Sequence, residues 1–473
     1  MPLSGKMHKW QGPQPTIDMP GKDRSMGTIL CTSLYQWFDL DNNGTDIRTE
    51  VLAGITTFAA SMYIITVNPA ILHASGMPSG AVLTATVLVS AFSSIMMGLY
   101  ARNPLLVAPG MSLNTLMAVS VIQAEGVPWR TCLGCVFWAG VIFSILTILD
   151  RKRRILLEVP PMLRFGLAGG IGLFIAMIGF EAAGFIVPME NGALGWGKIN
   201  PATLTFLTGL MITSVLVVRK VRGSFIIGIA ATALISLASN HLLGGAPAQA
   251  LEPANGLMAW PDLSIVLQLD LYGALSPHLW PVIFLFLFSC LFDGLSTCVG
   301  VCEAGNLIDV ERIPQNLQRS LRVNALGVIL SGILGTSPST SYIESATGVE
   351  EGGRTGLTAI VSGLLFLPFL FLSPLLSWVP AVATAPVLVL AGVFMLKPLM
   401  YVRWERSDDA IPFFLAMFLM PLTYSITQGI IWGCLSWVVL KTASGKRSQV
   451  TVSMWAMAIL SLLLLLDISR FSH

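Results

Sequence analysis

Two acidic side chains stand where chemistry is most conspicuous in this chain. Asp293 interrupts the apolar run PVIFLFLFSCLFDGLSTCVG, and Glu344 ends the polar stretch GTSPSTSYIES. A charge at the centre of a bilayer costs at least about 2.5 kcal/mol, so such residues face a cavity or a partner and mark function. An ionised carboxylate accepts hydrogen bonds on two oxygens and a protonated one also donates, which suits a ligand with ring N–H donors. An apolar surrounding favours the neutral acid, so the group can take up and release a proton. Asp293 and Glu344 are therefore the proton-coupling candidates. The structural alternatives are a hydrogen-bonded acid tying two helices for Asp293, and a brace on a half-helix for Glu344.

Other polar residues in apolar surroundings are few. Glu181 lies between Gly179 and Gly184 towards the far end of its run, which places it at a wet rim. Asn114 offers both a donor and an acceptor within APGMSLNT, where it can read a ligand or satisfy loose backbone. His73, His241 and His278 fall near the ends of apolar runs and read as interfacial.

The elements that position these residues are membrane helices. The sequence is 54% hydrophobic and 11% charged, against about 25% charged in soluble proteins. Mean hydropathy is +0.75. Several uncharged runs are long enough to cross a bilayer, which takes roughly 20 apolar residues. The fold class is an all-α polytopic membrane protein, not a β-barrel, whose segments would be short and alternating. The seven cysteines form no disulfide framework, and Cys132-x-x-Cys135 has no second pair or nearby His to make it a metal or redox site.

Spans are expected at 51–70, 80–100, 104–122, 131–149, 163–187, 201–218 and 222–243, then at 279–301, 320–335, 338–349, 355–378, 383–400, 410–426, 427–441 and 451–468. The total is about fourteen, with the end of the chain open. Basic clusters at Arg151–Arg154, Arg219–Arg222, Arg312–Arg322, Arg354 and Arg403–Arg406 each follow an even-numbered crossing. The positive-inside rule then puts the N-terminus in the cytoplasm. Residues 1–50 form a retained tail without a signal peptide, and LYQWFDLDNN reads as an interfacial segment.

Two stretches break the helical pattern at comparable places in the two halves, namely APGMSLNT and GTSPSTSYIES. Pro109 removes a backbone donor, and Gly110 loosens the chain beyond it. Matched interruptions of this kind point to a binding site between inverted repeats, and unwound backbone at membrane depth must be buried or line a cavity. The chain has no G-x-x-x-x-G-K-[ST] loop, so energy comes from a gradient, and no H-E-x-x-H helix, so zinc proteolysis is unsupported.

TDIRTEVLAGITTF, APGMSLNT, Leu291–Asp293, GTSPSTSYIESATGVEEGGRTGLTA and AIPFFLAMFLMPLTYSI, in that order, resemble the AzgA-like branch of the nucleobase–cation symporters, the adenine, guanine and hypoxanthine permeases. The resemblance covers about Arg48 to Lys441. It implies a uracil-permease-like fold of two inverted seven-segment repeats, with short strands leading into half-helices in the third and tenth segments. The implied organisation is a tail at 1–50, a core domain at 51–160 and 279–378, a gate domain at 161–250 and 379–473, and a connecting loop at 251–278. It also implies that Asp293 and Glu344 bind a purine, with Asn114, Ser112 and Thr340 shaping the site, and that transport is proton symport by alternating access. The expected partners are a purine base, the lipid bilayer of the cell inner membrane and a second copy of the chain, with no nucleic acid, no metal and no cofactor.

Departures from the common motifs cluster at this site. Ser112 and Thr115 stand for Gly and Ala, Gly294–Thr297 departs from T-x-G-T, and Pro338 and Ser339 replace the usual pair in GTSTVTSYIES. Each leaves the choice of base open, and xanthine, urate or a pyrimidine remains an alternative solute. An intramembrane enzyme using the two acids, or a channel, is the reading from another class.

Overall fold

The computed structural model describes residues 35–149, 160–188, 194–219, 221, 223–243, 259–305, 307, 315–372, 381–396, 399–400, 402–423, 426–451, 454–455, 457–459, 461–462 and 465. The chain opens with α1 (Ile47–Ser61), α2 (Ile64–His73) and α3 (Ser79–Met96), the last continued by a π turn over Met97–Ala101. Strand β1 (Val107–Pro109) leads into the short helix α4 (Met111–Thr115), which runs on in π geometry from Leu116 to Ala124. Helices α5 (Trp129–Leu149) and α6 (Pro161–Ala182) follow, then the hairpin β2 (Ile186–Pro188) and β3 (Leu194–Trp196). Helices α7 (Pro201–Val218) and α8 (Ser224–Leu243) complete the first half.

The second half repeats the pattern. It comprises α9 (Trp280–Ala304), α10 (Leu317–Leu334), β4 (Ser339–Ser341), α11 (Ser345–Glu350), α12 (Gly356–Phe366), α13 (Ala381–Met395), α14 (Ser407–Leu422) and α15 (Ile426–Ala443). Among the described residues, six helical stretches are long and apolar enough to cross a membrane, and shorter apolar helices accompany them. The helical polytopic class stands, and both broken stretches are a three-residue strand feeding a half-helix.

The first span differs from its expected range. It starts at Ile47, where Asp46 caps α1 by accepting from Thr49 N at 2.7 Å, and it turns at Met62–Tyr63 before α2. Glu50 thus belongs to the helix and not to the tail. The expected interfacial segment is also tied down, because Phe38 and Leu40 are buried against Leu357 of α12. The fifth span ends at Ala182, and 186–188 is a strand. Residues 410–441 fall in two helices, α14 and α15. Much of 451–468, like Arg151–Arg154 and the tail before 35, lies outside the described residues.

Helices α1 and α3 both pack on α12, and α5 packs with α9 and α10, while α6 packs on α13 and α14, and α7 on α8 and α13. The largest buried cluster runs from Leu72 and Met77 through α5 and α9 to Met454. A second, around Tyr63, Val87 and Tyr342, reaches Phe225 of α8 and Leu388 of α13. Strand β1 joins the two clusters, with Val107 in the first and Ala108 in the second.

Candidate functional site

Strands β1 and β4 pair antiparallel, with Val107 opposite Ser341, Ala108 opposite Thr340 and Pro109 opposite Ser339. Inside a bilayer every backbone group needs an internal partner, so broken helix is tolerated only where another segment completes it. Here Gly110 N donates to Pro338 O at 3.0 Å and Tyr342 N to Leu106 O at 2.9 Å. Ser345 Oγ accepts from Leu106 N at 3.0 Å, and Tyr342 donates its phenol to Pro109 O at 2.5 Å. The approach is close: a Cβ on Gly110 would fall 2.8 Å from Thr340 Cγ2. Both half-helices therefore begin at one buried crossing.

The two acids reach that crossing from different elements. Asp293 projects from the middle of α9, half-buried, and Ser112 of α4 donates to its Oδ2 at 3.4 Å. Glu344 is half-buried at the N-cap of α11, and its Oε1 accepts from the phenol of Tyr63 at 2.6 Å. Helix α9 packs on both β4 and α11, so the two acids stand on neighbouring elements. Two acceptors on separate arms, each with one hydroxyl partner, leave lone pairs for a planar ligand with several N–H groups.

Not every expected site residue joins the acids. Thr340 is buried on β4 with its Oγ1 unpartnered. Asn114 is fully buried and bonded to neither acid; its Oδ1 accepts from Ser337, and its Nδ2 has no partner. Glu181 is the penultimate residue of α6 and partly exposed, as a rim position requires. His73 ends α2 with Nδ1 3.1 Å from Met77 O, His278 lies in a short turn before α9, and the side chain of His241 is outside the described set. No group of three metal-ligating side chains occurs among the described residues.

Neighbours of the candidate site that sequence reasoning did not single out are Tyr63 and the buried polar network around Asn68. Tyr63 holds Glu344, and its ring also meets Phe225 of α8 edge-on at 5.3 Å. Asn68 of α2 donates to Thr86 at 2.7 Å and to Thr336 at 2.8 Å, and Ser337 lies 3.3 Å from its Oδ1. Thr86 gives its own proton to Val82 O at 2.7 Å, so it can only accept from Asn68. Asn68, Thr86, Thr336, Ser337 and Asn114 are all fully buried, and this network knits α2, α3, α4 and the approach to β4. The one available signal was polar residues in otherwise aliphatic runs, such as IITVNPAIL.

A model of the Permease family matches residues 48–431. The chain is 37% identical over 433 residues to the adenine permease AdeP of Escherichia coli (strain K12), covering 91% of this chain and 95% of the relative. It is 36% identical over 423 residues to the guanine/hypoxanthine permease PbuO of Bacillus subtilis (strain 168), covering 87% and 96%. Among solved structures, the transmembrane domain of a cyanobacterium bicarbonate transporter, BicA, matches with TM-score 0.61 over 80% of this chain and 95% of that one. At 16% identity that likeness concerns the fold alone. A family of permeases sets the enzyme reading aside. The chain is a multi-pass membrane transporter and belongs to the Permease family, with the purine permeases that its motifs resemble among its relatives.

Proposed function

We propose that this protein imports purine nucleobases, namely adenine, guanine or hypoxanthine, by proton symport. The observation that carries the reading is the pair of half-buried carboxyls, Asp293 held by Ser112 and Glu344 held by Tyr63, on elements packed around the paired strands. Asp293 and Glu344 accept from the N–H edge of the base, while Ser112 and Thr340 supply hydroxyls and Asn114 an amide beside it. Either acid is suited to carry the proton, because an apolar site lets a carboxyl change protonation state at modest cost. The names of relatives such as AdeP and PbuO support purines as the solute class.

Alternating access rests on the packing in this reading. The helices that carry the crossing, α1–α5 and α9–α12, form a core that moves against α6–α8 and α13–α15. The test is uptake of labelled adenine, guanine, hypoxanthine, xanthine and uracil in cells lacking their own permeases, with and without a protonophore. Saturable purine uptake abolished by the protonophore is expected. Absence of saturable purine uptake overturns the solute class, and uptake indifferent to the protonophore overturns the coupling alone.

A further inference from the structure

Glu50 is a fully buried carboxylate that transport chemistry does not use. It stands in the first turn of α1, and its partners all lie at the start of α12. Its Oε1 accepts from Arg354 N at 2.8 Å and Thr355 N at 3.1 Å. Its Oε2 accepts from Thr358 N at 3.2 Å and from the Thr358 hydroxyl at 2.6 Å. The Arg354 guanidinium is turned away from it, onto Val349 O at 2.5 Å and Gly353 O at 2.9 Å. The carboxylate therefore fixes the backbone that joins α11 to α12.

Two more contacts continue along the same helix. A Cβ on Gly348, in the middle of α11, would fall 2.6 Å from Ala53 O of α1, so the two backbones touch. Beyond the end of α1, Tyr63 holds Glu344 at 2.6 Å. From Glu50 to Tyr63 a helical rise of 1.5 Å per residue covers about 20 Å. Helix α11 is only six residues long, and isolated helices below about 12 residues are marginal. Something outside it must set where Glu344 stands.

We propose that α1 is the splint for the second broken segment, with Glu50 as the positioning residue that anchors it and thereby places Glu344. This rests on Glu344 being a purine ligand. Glu50 touches no substrate, so its effect is transmitted through Gly348 and the loop to the half-helix.

The test uses full-length purified protein carrying Glu50→Gln, and separately Thr358→Val, which removes the shortest donor and keeps the carboxylate. Hypoxanthine and adenine dissociation constants, the KM and Vmax of uptake, and the unfolding temperature without ligand are read for each. The expected result is about tenfold weaker purine binding, raised KM and nearly unchanged Vmax, from loss or mispairing of one charge-assisted bond. Adding Glu50→Gln to Tyr63→Phe should then weaken binding by less than twofold further, since the placement is already lost. Binding within twofold of wild type in both single variants, with only the unfolding temperature lowered, reduces Glu50 to a fold-stabilising role and overturns the proposal. If wild type binds neither purine, the functional reading fails and this one with it.

Discussion

Glu344 and Asp293 differ in their hydroxyl partners. Ser112 meets Asp293 at 3.4 Å, whereas the Tyr63 phenol meets Glu344 at 2.6 Å, the range of charge-assisted O–H···O bonds. Such a bond contributes about 1.5–3 kcal/mol, so Tyr63→Phe is expected to weaken purine affinity by about tenfold or more. Equal KM in uptake assays of the two proteins would remove Tyr63 from the site. Asp293→Ala and Glu344→Ala should abolish uptake while surface labelling still finds the protein in the membrane. Glu181→Gln, changed at a helix end, should leave uptake within about twofold of wild type. The acids were legible in the sequence because charge is rare in apolar runs. Tyr63 was not, because a neutral aromatic among aliphatics looks like packing until its hydroxyl is seen to find a carboxylate across 281 residues of sequence separation.

At the scale of elements, the crossing of β1 and β4 is flanked by buried polar groups that are individually inconspicuous. Ser337 donates to Asn114 of α4, Asn68 donates to Thr86 and Thr336, and a buried polar group left unsatisfied costs about 1–3 kcal/mol. Asn68→Ala is accordingly expected to lower the unfolding temperature of the detergent-purified protein by a few degrees and to reduce uptake. An unchanged melting curve and full uptake would show the network to be dispensable. The two interruptions themselves could be read from Pro109 and from the Pro, Ser and Thr of GTSPSTSYIES. The pairing could not, because strand register depends on which distant backbone supplies the missing partners. Glu50 shows the opposite failure. Treating charge as a boundary marker cut the first span after residue 50, yet a carboxylate satisfied by three N–H groups and a hydroxyl sits comfortably inside the helix.

Across the whole molecule, an aromatic contact joins Tyr63 of the candidate site to α8, which the proposed transport cycle places in the opposing group of helices. Tyr63 packs on Phe225 of α8, and Phe225 on Phe394 of α13 at 5.9 Å. Were the two groups to move against each other during transport, this contact would remake itself each cycle. Phe225→Ala is therefore expected to lower Vmax several-fold while KM changes by about twofold or less, and a purely KM effect would contradict that role. Hydropathy made the helical class and six long apolar helices plain, but short helices such as α11 and α14 fall near or below the length that marks a span. The most direct measurement is purine accumulation in proteoliposomes of wild type, Asp293→Ala and Glu344→Ala under an imposed inward proton gradient. Wild type should concentrate hypoxanthine or adenine above the external level, and both variants should not. Accumulation that persists in both variants, or that never depends on the gradient, would contradict a proton-coupled purine site built on these two carboxyls.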